Sequence, residues 1–221
     1  MDGVMSQEEI NALLNGSADS GEQKPQEEVL TEKEKDTIGE IANISMGTAA
    51  TTLFSLVNRK VEISTPVVSF ANWSDICEAY EKPCVFIRIG YTVGLDGSNI
   101  LVLKEHDVKV ITDLMMGGDG TSISNIQIDE LTLSAISEAM NQMCGSIATS
   151  MASLLRQPTD IGFPLINCTE QKTFEIPEEL CNGNDIVKVS FRLIVDDIID
   201  SRLVQLYPVS IVKQILKQEE I

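Results

Sequence analysis

The sequence predicts an α+β fold built from two similar halves that share one β-sheet. Two long segments, from Thr31 to about Val57 and from 129 to 156, carry apolar residues at helical spacing. Each segment is followed by runs rich in Val and Ile, which are typical of strands. The second half repeats the order of the first. We therefore expect two helix–three-strand–helix units related by a pseudo-twofold axis, with the two long helices at the surface.

The first 30 residues are expected to lie outside this domain. Residues 1–14 predict a short amphipathic helix, because Ser6 and Glu9 have the spacing of a capping box. Its apolar residues, suited to a groove on a partner, are Met5, Ile10, Leu13 and Leu14. Residues 15–30 are polar and contain Gly and Ser, which is the composition of a flexible linker.

The folded domain is expected over residues 31–221, with one repeat at about 31–125 and the other at about 126–221. Thr31 and Glu34 predict a capping box at the start of the first helix. The remaining helices are expected at 105–116 and 208–219. Strands are expected near 60–70, 84–93 and 98–103, and again near 159–168, 186–195 and 200–207.

Charge and composition exclude several classes of function. The formal net charge is −18, and an acidic surface repels nucleic acid and anionic lipid. The five cysteines form no CxxC motif, and no apolar run approaches 18 residues, so we expect a reduced, cytoplasmic protein. His106 is the single histidine, so a zinc site or a Ser-His-Asp triad is not expected, and His106 is interpreted as a surface residue.

The internal repeat can be counted directly. When residues 36–66 are aligned without gaps to 134–164, ten of 31 positions are identical, whereas chance gives roughly two. The identical pairs are Ile38/Ile136, Glu40/Glu138, Asn43/Asn141, Gly47/Gly145, Ala50/Ala148, Thr51/Thr149, Ser55/Ser153, Leu56/Leu154, Ile63/Ile161 and Pro66/Pro164.

Some of the repeated residues are not explained by a core. Each long helix has an apolar stripe that is best interpreted as core: Ile38, Ala42, Ala49, Leu53 and Leu56, then Ile136, Met140, Met143, Ile147, Met151 and Leu154. Glu40 and Asn43 lie beside the first stripe, three residues apart, and Gly47 follows one turn later. Glu138, Asn141 and Gly145 repeat this pattern.

One such Glu/Asn pair alone would be interpreted as solvated helix surface, and the glycine as a helix-packing residue. Duplication favours function, because solvent-facing positions have no packing reason to stay identical. An asparagine amide donates and accepts hydrogen bonds, so it can orient a water without titrating, while a glutamate can pair with a cation. The sequence contains no nucleophile motif, metal cluster or phosphate loop. We therefore expect a partner to bring the electrophile and the metal.

These residues resemble the signature of the CheC/CheX/FliY family of chemotaxis phosphatases. The signature is Asp or Ser, three residues, Glu, two residues, Asn, 22 residues and Pro. Asp36, Glu40, Asn43 and Pro66 satisfy it. So do Ser134, Glu138, Asn141 and Pro164. The resemblance covers about residues 31–220.

The resemblance implies the substrate and the mechanism. The implied substrate is the aspartyl-phosphate of the response regulator CheY, and the Mg²⁺ is held by that substrate rather than by this chain. Asn43 and Asn141 are implied to align the attacking water, and Glu40 and Glu138 to bind a lysine of the receiver. Such positioning suits phosphoryl transfer. The implied fold is again two repeated units that share a sheet.

The N-terminal helix resembles the peptide of the switch protein FliM that binds phosphorylated CheY. The implied partners are therefore phosphorylated CheY and the flagellar switch proteins FliM and FliG, at the cytoplasmic face of the flagellar basal body. Family members with such a peptide continue into a FliN-like domain, and this sequence ends at Ile221 without one. Two alternatives stay open: a non-catalytic switch scaffold like the FliM middle domain, and a module that only binds phosphorylated CheY.

Overall fold

The computed structural model describes residues 29–79, 83–121, 123–168 and 186–219. Within these ranges the chain is an α+β fold with one eight-stranded antiparallel sheet. The helices are α1 (Glu32–Val57), α2 (Trp73–Ala79), α3 (Glu105–Met115), α4 (Glu130–Leu154) and α5 (Val209–Glu219), with a 3₁₀ turn at Ile123–Asn125. The strands are β1 (Val61–Ile63), β2 (Val67–Ala71), β3 (Cys84–Val93), β4 (Ser98–Lys104), β5 (Asp160–Ile161), β6 (Leu165–Cys168), β7 (Ile186–Val195) and β8 (Ile199–Pro208).

The two long helices begin at side-chain caps. At α1 the Thr31 hydroxyl accepts the Glu34 N–H at 3.3 Å, and the Glu34 carboxylate accepts the Thr31 N–H at 2.6 Å, so the predicted capping box is confirmed. At α4 the Asp129 carboxylate accepts the N–H of Thr132 at 2.9 Å. That hydrogen bond holds the pKa of Asp129 below its usual range. Both helices are therefore fixed at their N-termini, one turn or more before the Glu/Asn pairs.

The sheet exchanges strands between the two halves of the chain. Its order is β1-β7-β8-β4-β3-β5, with β2 also paired to β7 and β6 to β3. Strands β1 and β2 of the first half therefore pair with β7 of the second half, and β5 and β6 of the second half pair with β3 of the first. Strands β1 to β4 correspond in chain order to β5 to β8. If each strand in the sheet is replaced by the corresponding strand of the other half, the same sheet order results, read from the opposite edge. A duplicated unit requires this strand order. Superposition of the two halves would test the duplication directly.

The first strand of each half is interrupted, whereas a continuous strand was expected near 60–70 and near 159–168. Between Ile63↔Leu193 and Val67↔Ser190 the broken strand has one residue more than its partner, which is the geometry of a bulge. The same extra residue occurs between Ile161↔Tyr91 and Leu165↔Arg88. Pro66 and Pro164 lie in these two breaks, where the missing N–H removes no ladder hydrogen bond.

Hydrophobic residues cover both faces of the sheet. The main core lies between the sheet and helices α1, α3, α4 and α5, and it contains the predicted stripes, with Leu56 and Leu154 only partly buried. A smaller core on the opposite face packs α2 against β3, β4, β7 and β8 through Ile76, Phe86, Ile100 and Leu206. Helix α2 was not predicted. Its signal is Asn72, whose side chain accepts the Asp75 N–H at 2.9 Å as a helix cap.

The boundary of the linker needs one correction. Leu30, assigned to the linker, is fully buried in the main core, so the folded part includes at least this residue. Residues 1–28, which carry the predicted amphipathic helix with Met5, Ile10, Leu13 and Leu14, lie outside the described residues. Among the described residues, no helix combines the length and the apolar character that crossing a membrane requires.

Candidate functional site

The first predicted pair lies on the solvent-facing side of α1. Ile41, Ala42, Ser45 and Met46 are buried and fix the rotation of the helix, which leaves Glu40 and Asn43 exposed. Since residues three and four apart are neighbours on a helix, Glu40 and Asn43 lie side by side. Asp36 and Gly47, also exposed, extend the same face by one turn in each direction. The exposure of these four residues agrees with the expected surface position of the pair, and their role stays a prediction.

The second pair occupies the corresponding place on α4 but differs in two contacts. Glu138 is exposed, whereas Asn141 is half-buried. The Gln142 amide donates a hydrogen bond of 2.6 Å to the Glu138 carboxylate. The position that corresponds to Gln142 on α1 is Ile44, which cannot donate and is 43% exposed. The two pairs are thus repeated in position but not in surroundings, which the sequence analysis did not predict.

Packing against the residues that the structure describes does not explain the repeated glycines. Among these residues, a Cβ added to Gly47 or to Gly145 would meet no atom within 4 Å. Neither glycine has a positive φ that would exclude a side chain. Glycine inside a helix costs about 1 kcal/mol relative to alanine, so its presence at both sites has no local structural benefit. The open space beside each glycine fits close approach by another molecule.

Helices α1 and α4 pack against each other and place the two sites far apart. Thr52 and Ser146 share a hydrogen bond of 2.6 Å between their hydroxyls. Further along, a small apolar cavity is lined from α1 by Ile41 and Ser45 and from α4 by Ile147 and Met151. Along these contacts the residue numbers on α1 fall as those on α4 rise, so the two helices are antiparallel. At 1.5 Å per residue, Asn43 and Asn141 are separated by roughly 20 Å along the helix pair.

The other residues of the repeated signature lie either on the same helices or in the sheet. Ser134 is exposed one turn before Glu138, as Asp36 is before Glu40. Pro66 and Pro164 lie in the sheet bulges and not on the helix faces, so they shape the sheet rather than the site. The same hydrogen bond follows at both bulges, from the Ser64 N–H to the Arg192 carbonyl at 3.0 Å and from the Gly162 N–H to the Gly90 carbonyl at 2.8 Å.

One apolar feature beside the first pair was missed. Ile44 and Phe54 are 43% and 47% exposed on α1, and Gly47 and Thr51 lie between them along the helix. The signal of this row in the sequence is spacing, because these residues recur at intervals of three and four. The corresponding residues on α4, Gln142 and Ala152, do not form an apolar row.

The titratable groups near the helices do not supply an alternative chemistry. Burial raises the pKa of Cys144 to about 12 and also raises the pKa of Cys84, so both thiols are poor nucleophiles at neutral pH. His106 lies at the surface, as predicted, with its Nδ1 3.3 Å from the Asp107 carboxylate. In the described ranges no three His, Cys, Asp or Glu side chains are grouped so that they could hold a metal ion.

Comparison with known proteins gives consistent matches. The model of the CheC-like family matches residues 34–70 and 131–161, which are the two segments that carry the pairs. The flagellar motor switch phosphatase FliY of Bacillus subtilis is 44% identical over 96% of this chain and 56% of its own length. The CheY-P phosphatase CheC of the same species is 22% identical over 58% of this chain and 62% of its own length. The crystal structure of Thermotoga maritima FliY, 36% identical, matches with a TM-score of 0.79 over 87% of this chain and 98% of that one.

The matches to the CheC-like family model and to two FliY proteins define the class as CheC-like proteins. The chain belongs to this family and, within it, to the FliY proteins, given the 36% identity to Thermotoga maritima FliY over 98% of that chain together with the 44% identity to the Bacillus subtilis protein. It spans about 56% of the length of the curated FliY and about 62% of that of CheC.

Proposed function

We propose that this chain is a phosphatase that removes the phosphoryl group from the aspartyl-phosphate of the response regulator CheY at the flagellar motor switch. The observation that carries the proposal is the repeated Glu/Asn pair on α1 and α4, with both glutamates solvent-exposed. Two relatives, named as a flagellar motor switch phosphatase and a CheY-P phosphatase, support the same reaction.

The asparagines have the chemistry that the hydrolysis needs. A carboxamide oxygen accepts a hydrogen bond from water, and its NH₂ group donates to a phosphoryl oxygen. Asn43 or Asn141 would hold one water in line with the phosphorus while the aspartyl oxygen leaves and inorganic phosphate forms. Because this reaction depends mainly on position and charge stabilisation, an amide that does not titrate is sufficient.

The substrate and the pairs are proposed to divide the remaining roles. CheY would bring the phosphoryl group and its Mg²⁺, and that ion supplies the charge stabilisation. Glu40 and Glu138 would each bind a cationic side chain of the receiver and so fix its orientation. Gly47 and Gly145 would leave room for the receiver backbone. With the asparagines roughly 20 Å apart along the helices, each site would take its own receiver molecule.

The switch proteins FliM and FliG are proposed as further partners, which places the protein at the cytoplasmic face of the flagellar basal body. The scaffold alternative would need no Glu/Asn pair on an exposed helix face, whereas here both pairs are kept. The alternative of a pure binding module predicts docking without release of phosphate. Measurement of phosphate release from phosphorylated CheY therefore separates the phosphatase from both alternatives, and measurement of CheY binding separates the binding module from the scaffold.

The asparagines provide the direct test. Asn43→Ala combined with Asn141→Ala is expected to abolish stimulated dephosphorylation of CheY, because neither site can then orient water. The change in the free energy of unfolding should stay within about 0.5 kcal/mol, as for surface substitutions. Loss of radiolabel from phosphorylated CheY measures the rate, and circular dichroism checks the fold.

A matched control comes from Ser55→Ala in an Asn141→Ala background and Ser153→Ala in an Asn43→Ala background, each compared with its background as the parent. Both serines are exposed on the same two helices and are repeated, and in these backgrounds each lies about 18 Å from the one asparagine that remains. Each control variant should keep the rate of its own background. A folded double-asparagine variant that also keeps the parental rate would show that the amides do not orient the water.

A further inference from the structure

Strand pairing collects positive charge on the sheet face opposite α1 and α4. Arg192 on β7 lies directly opposite Arg202 on β8. The β4–β8 register pairs Val102 with Val204, and the next outward-facing position on β4 is Lys104. Three cations therefore form one row across three adjacent strands, although Lys104 lies far from the other two in the sequence. Lys188, two residues into β7, adds a fourth to the same open groove.

Within the described part of the chain, this basic row is compensated at Arg192 but not at Lys188 or Arg202. Arg192 donates two hydrogen bonds, of 2.8 and 2.6 Å, to the Asp200 carboxylate. Arg192 and, more weakly, Lys104 hold the pKa of Asp200 below its usual range. Lys188 and Arg202 form no ion pair with any residue that the structure describes. Like charges placed directly opposite in a sheet destabilise it, so an unfavourable row persists in a chain whose formal net charge is −18.

The dimensions of the groove decide which anion it fits. Neighbouring strands lie about 4.8 Å apart, so the row from Arg192 to Lys104 spans about 10 Å. Lys188 is four residues from Arg192 on one strand, which adds about 13 Å in the other direction. One phosphate ion could contact the three cations of the row, but from the centre of the row it cannot also contact Lys188. An extended acidic peptide can, because its alternate side chains repeat at about 7 Å.

The side of the groove formed by β1 and β2 is polar and suits a peptide backbone. Ser64, Thr65 and Ser69 line it together with Ser190 of β7. Their hydroxyl groups donate and accept hydrogen bonds. Val67, 67% exposed in the same lining, offers one apolar contact. Opposite charge also steers the approach of an acidic partner toward this face of an otherwise acidic protein.

We infer that the groove formed by Lys104, Lys188, Arg192 and Arg202 is a docking site for an extended acidic segment of a partner protein. The site lies on the opposite side of the sheet from the Glu/Asn pairs. A partner could therefore be held there while the helices remain accessible. The inference does not depend on the proposed phosphatase function.

The test uses the full chain and a synthetic hexaglutamate peptide as the probe. The peptide is expected to raise the Tm of the parent protein, whereas neutral hexaserine, and phosphate at matched ionic strength, are not. Arg202→Gln should weaken peptide binding by at least about tenfold in calorimetry, consistent with loss of one charge-assisted contact. Without peptide, the same variant should have an equal or higher Tm, because a like-charge contact is relieved.

Lys213→Gln on α5 is the matched control, since it removes one exposed positive charge outside the groove and should leave peptide affinity unchanged. Equal loss of affinity in both variants would reduce the effect to net charge and overturn the inference. So would equal stabilisation by phosphate, which would indicate a small-anion site. A lower Tm of Arg202→Gln without peptide would mean that carboxylates of this chain already occupy the groove. Dimerisation that Arg202→Gln abolishes would assign the groove to a second copy.

Discussion

Gly47 and Gly145 lower the stability of the two long helices, and we propose that they do so for docking. Each glycine lowers helix propensity by about 1 kcal/mol relative to alanine, and neither has a close neighbour that would forbid a Cβ. Gly39, also on α1, serves as the control, because a Cβ there would make an ordinary contact of 3.5 Å with Val68. These three residues allow local stability and docking to be varied independently.

Gly47→Ala is expected to raise the free energy of unfolding by up to about 1 kcal/mol, because alanine is the better helix former. The same variant should lose CheY dephosphorylation at the α1 site, because the methyl group occupies space that the receiver needs. Both measurements are made in an Asn141→Ala background, so that only the α1 site contributes. Gly39→Ala should give a similar gain in stability at the parental rate. Equal activity of the two variants would remove the argument for close approach at Gly47.

Gln142 gives the two sites different starting states. In the α4 site one oxygen of the Glu138 carboxylate accepts a hydrogen bond from Gln142, which would compete with a receiver cation for that oxygen. In the α1 site the corresponding residue is Ile44, which leaves Glu40 without this bond and adds apolar contact area. The sites are therefore expected to differ in affinity rather than in chemistry.

Gln142→Ile, in an Asn43→Ala background, is expected to lower the KM of the α4 site for phosphorylated CheY by a few fold. Removing the Gln142 hydrogen bond frees Glu138 and should change binding while leaving kcat nearly constant, since uniform binding alone is altered. Rate curves against CheY phosphate concentration give both constants. A change in kcat with constant KM would assign Gln142 a place in the reaction itself.

At the scale of elements, tight turns set the ends of strands and helices. Gly94, in the turn between β3 and β4, has φ +86°, and a Cβ there would lie 2.2 Å from the Pro158 carbonyl oxygen. Gly90, on β3 itself, has an ordinary φ and open space around its Cβ position. Of these two glycines, only Gly94 combines a strained φ with a backbone clash.

Gly94→Ala is expected to destabilise the fold by about 2 kcal/mol or more, because a side chain is strained at this φ and the carbonyl cannot move freely. Gly90→Ala, the control, should change stability by less than about 1 kcal/mol. Urea denaturation curves of the two variants measure the difference. If the two losses are equal, the turn between β3 and β4 tolerates a side chain and its described geometry is wrong.

Most elements were predictable from the sequence because their signals are local. Strands at 84–93 and 186–195 and the helix at 105–116 agree with β3, β7 and α3 to within a residue, since apolar periodicity and Val/Ile content decide them. The bulges at Pro66 and Pro164 and the helix α2 were missed. The basic row was also out of reach, because Lys104 and Arg202 become neighbours only through pairing of β4 with β8.

The candidate site was predictable for a related reason. Residues three apart on a helix are neighbours whatever the tertiary structure, so Glu40 and Asn43 could be placed side by side from spacing alone. The half-burial of Asn141 and the separation of the two sites depend on how α1 and α4 pack. No local pattern contains that information.

At the scale of the whole molecule, the N-terminal peptide and the domain are expected to divide binding and chemistry. A linker of about 16 residues has a root-mean-square reach on the order of 20–25 Å, comparable with the separation of the two sites. A receiver captured by residues 1–14 would therefore reach a site at an effective concentration near the millimolar range.

Deletion of residues 1–15 is expected to raise the KM for phosphorylated CheY and to leave kcat nearly unchanged, because the peptide contains no Glu/Asn pair and contributes uniform binding. The full rate curve for intact and shortened chains measures both constants. A shortened chain with normal KM and a much lower kcat would place the peptide within the active site and contradict the tether.

The exchange of strands between the halves also determines when this chain can fold during its synthesis. Val61, in the first strand, pairs with Val195, and Leu165, in the second half, pairs with Arg88 in the first. While the first half leaves the ribosome, β1 and β2 have no partner, and β3 lacks β6 on one side. The nascent protein must therefore keep exposed strand edges until β7 has emerged, which is the condition in which unfinished chains aggregate. A ribosome that pauses before residue 186 would hold the protein in its most chaperone-dependent state.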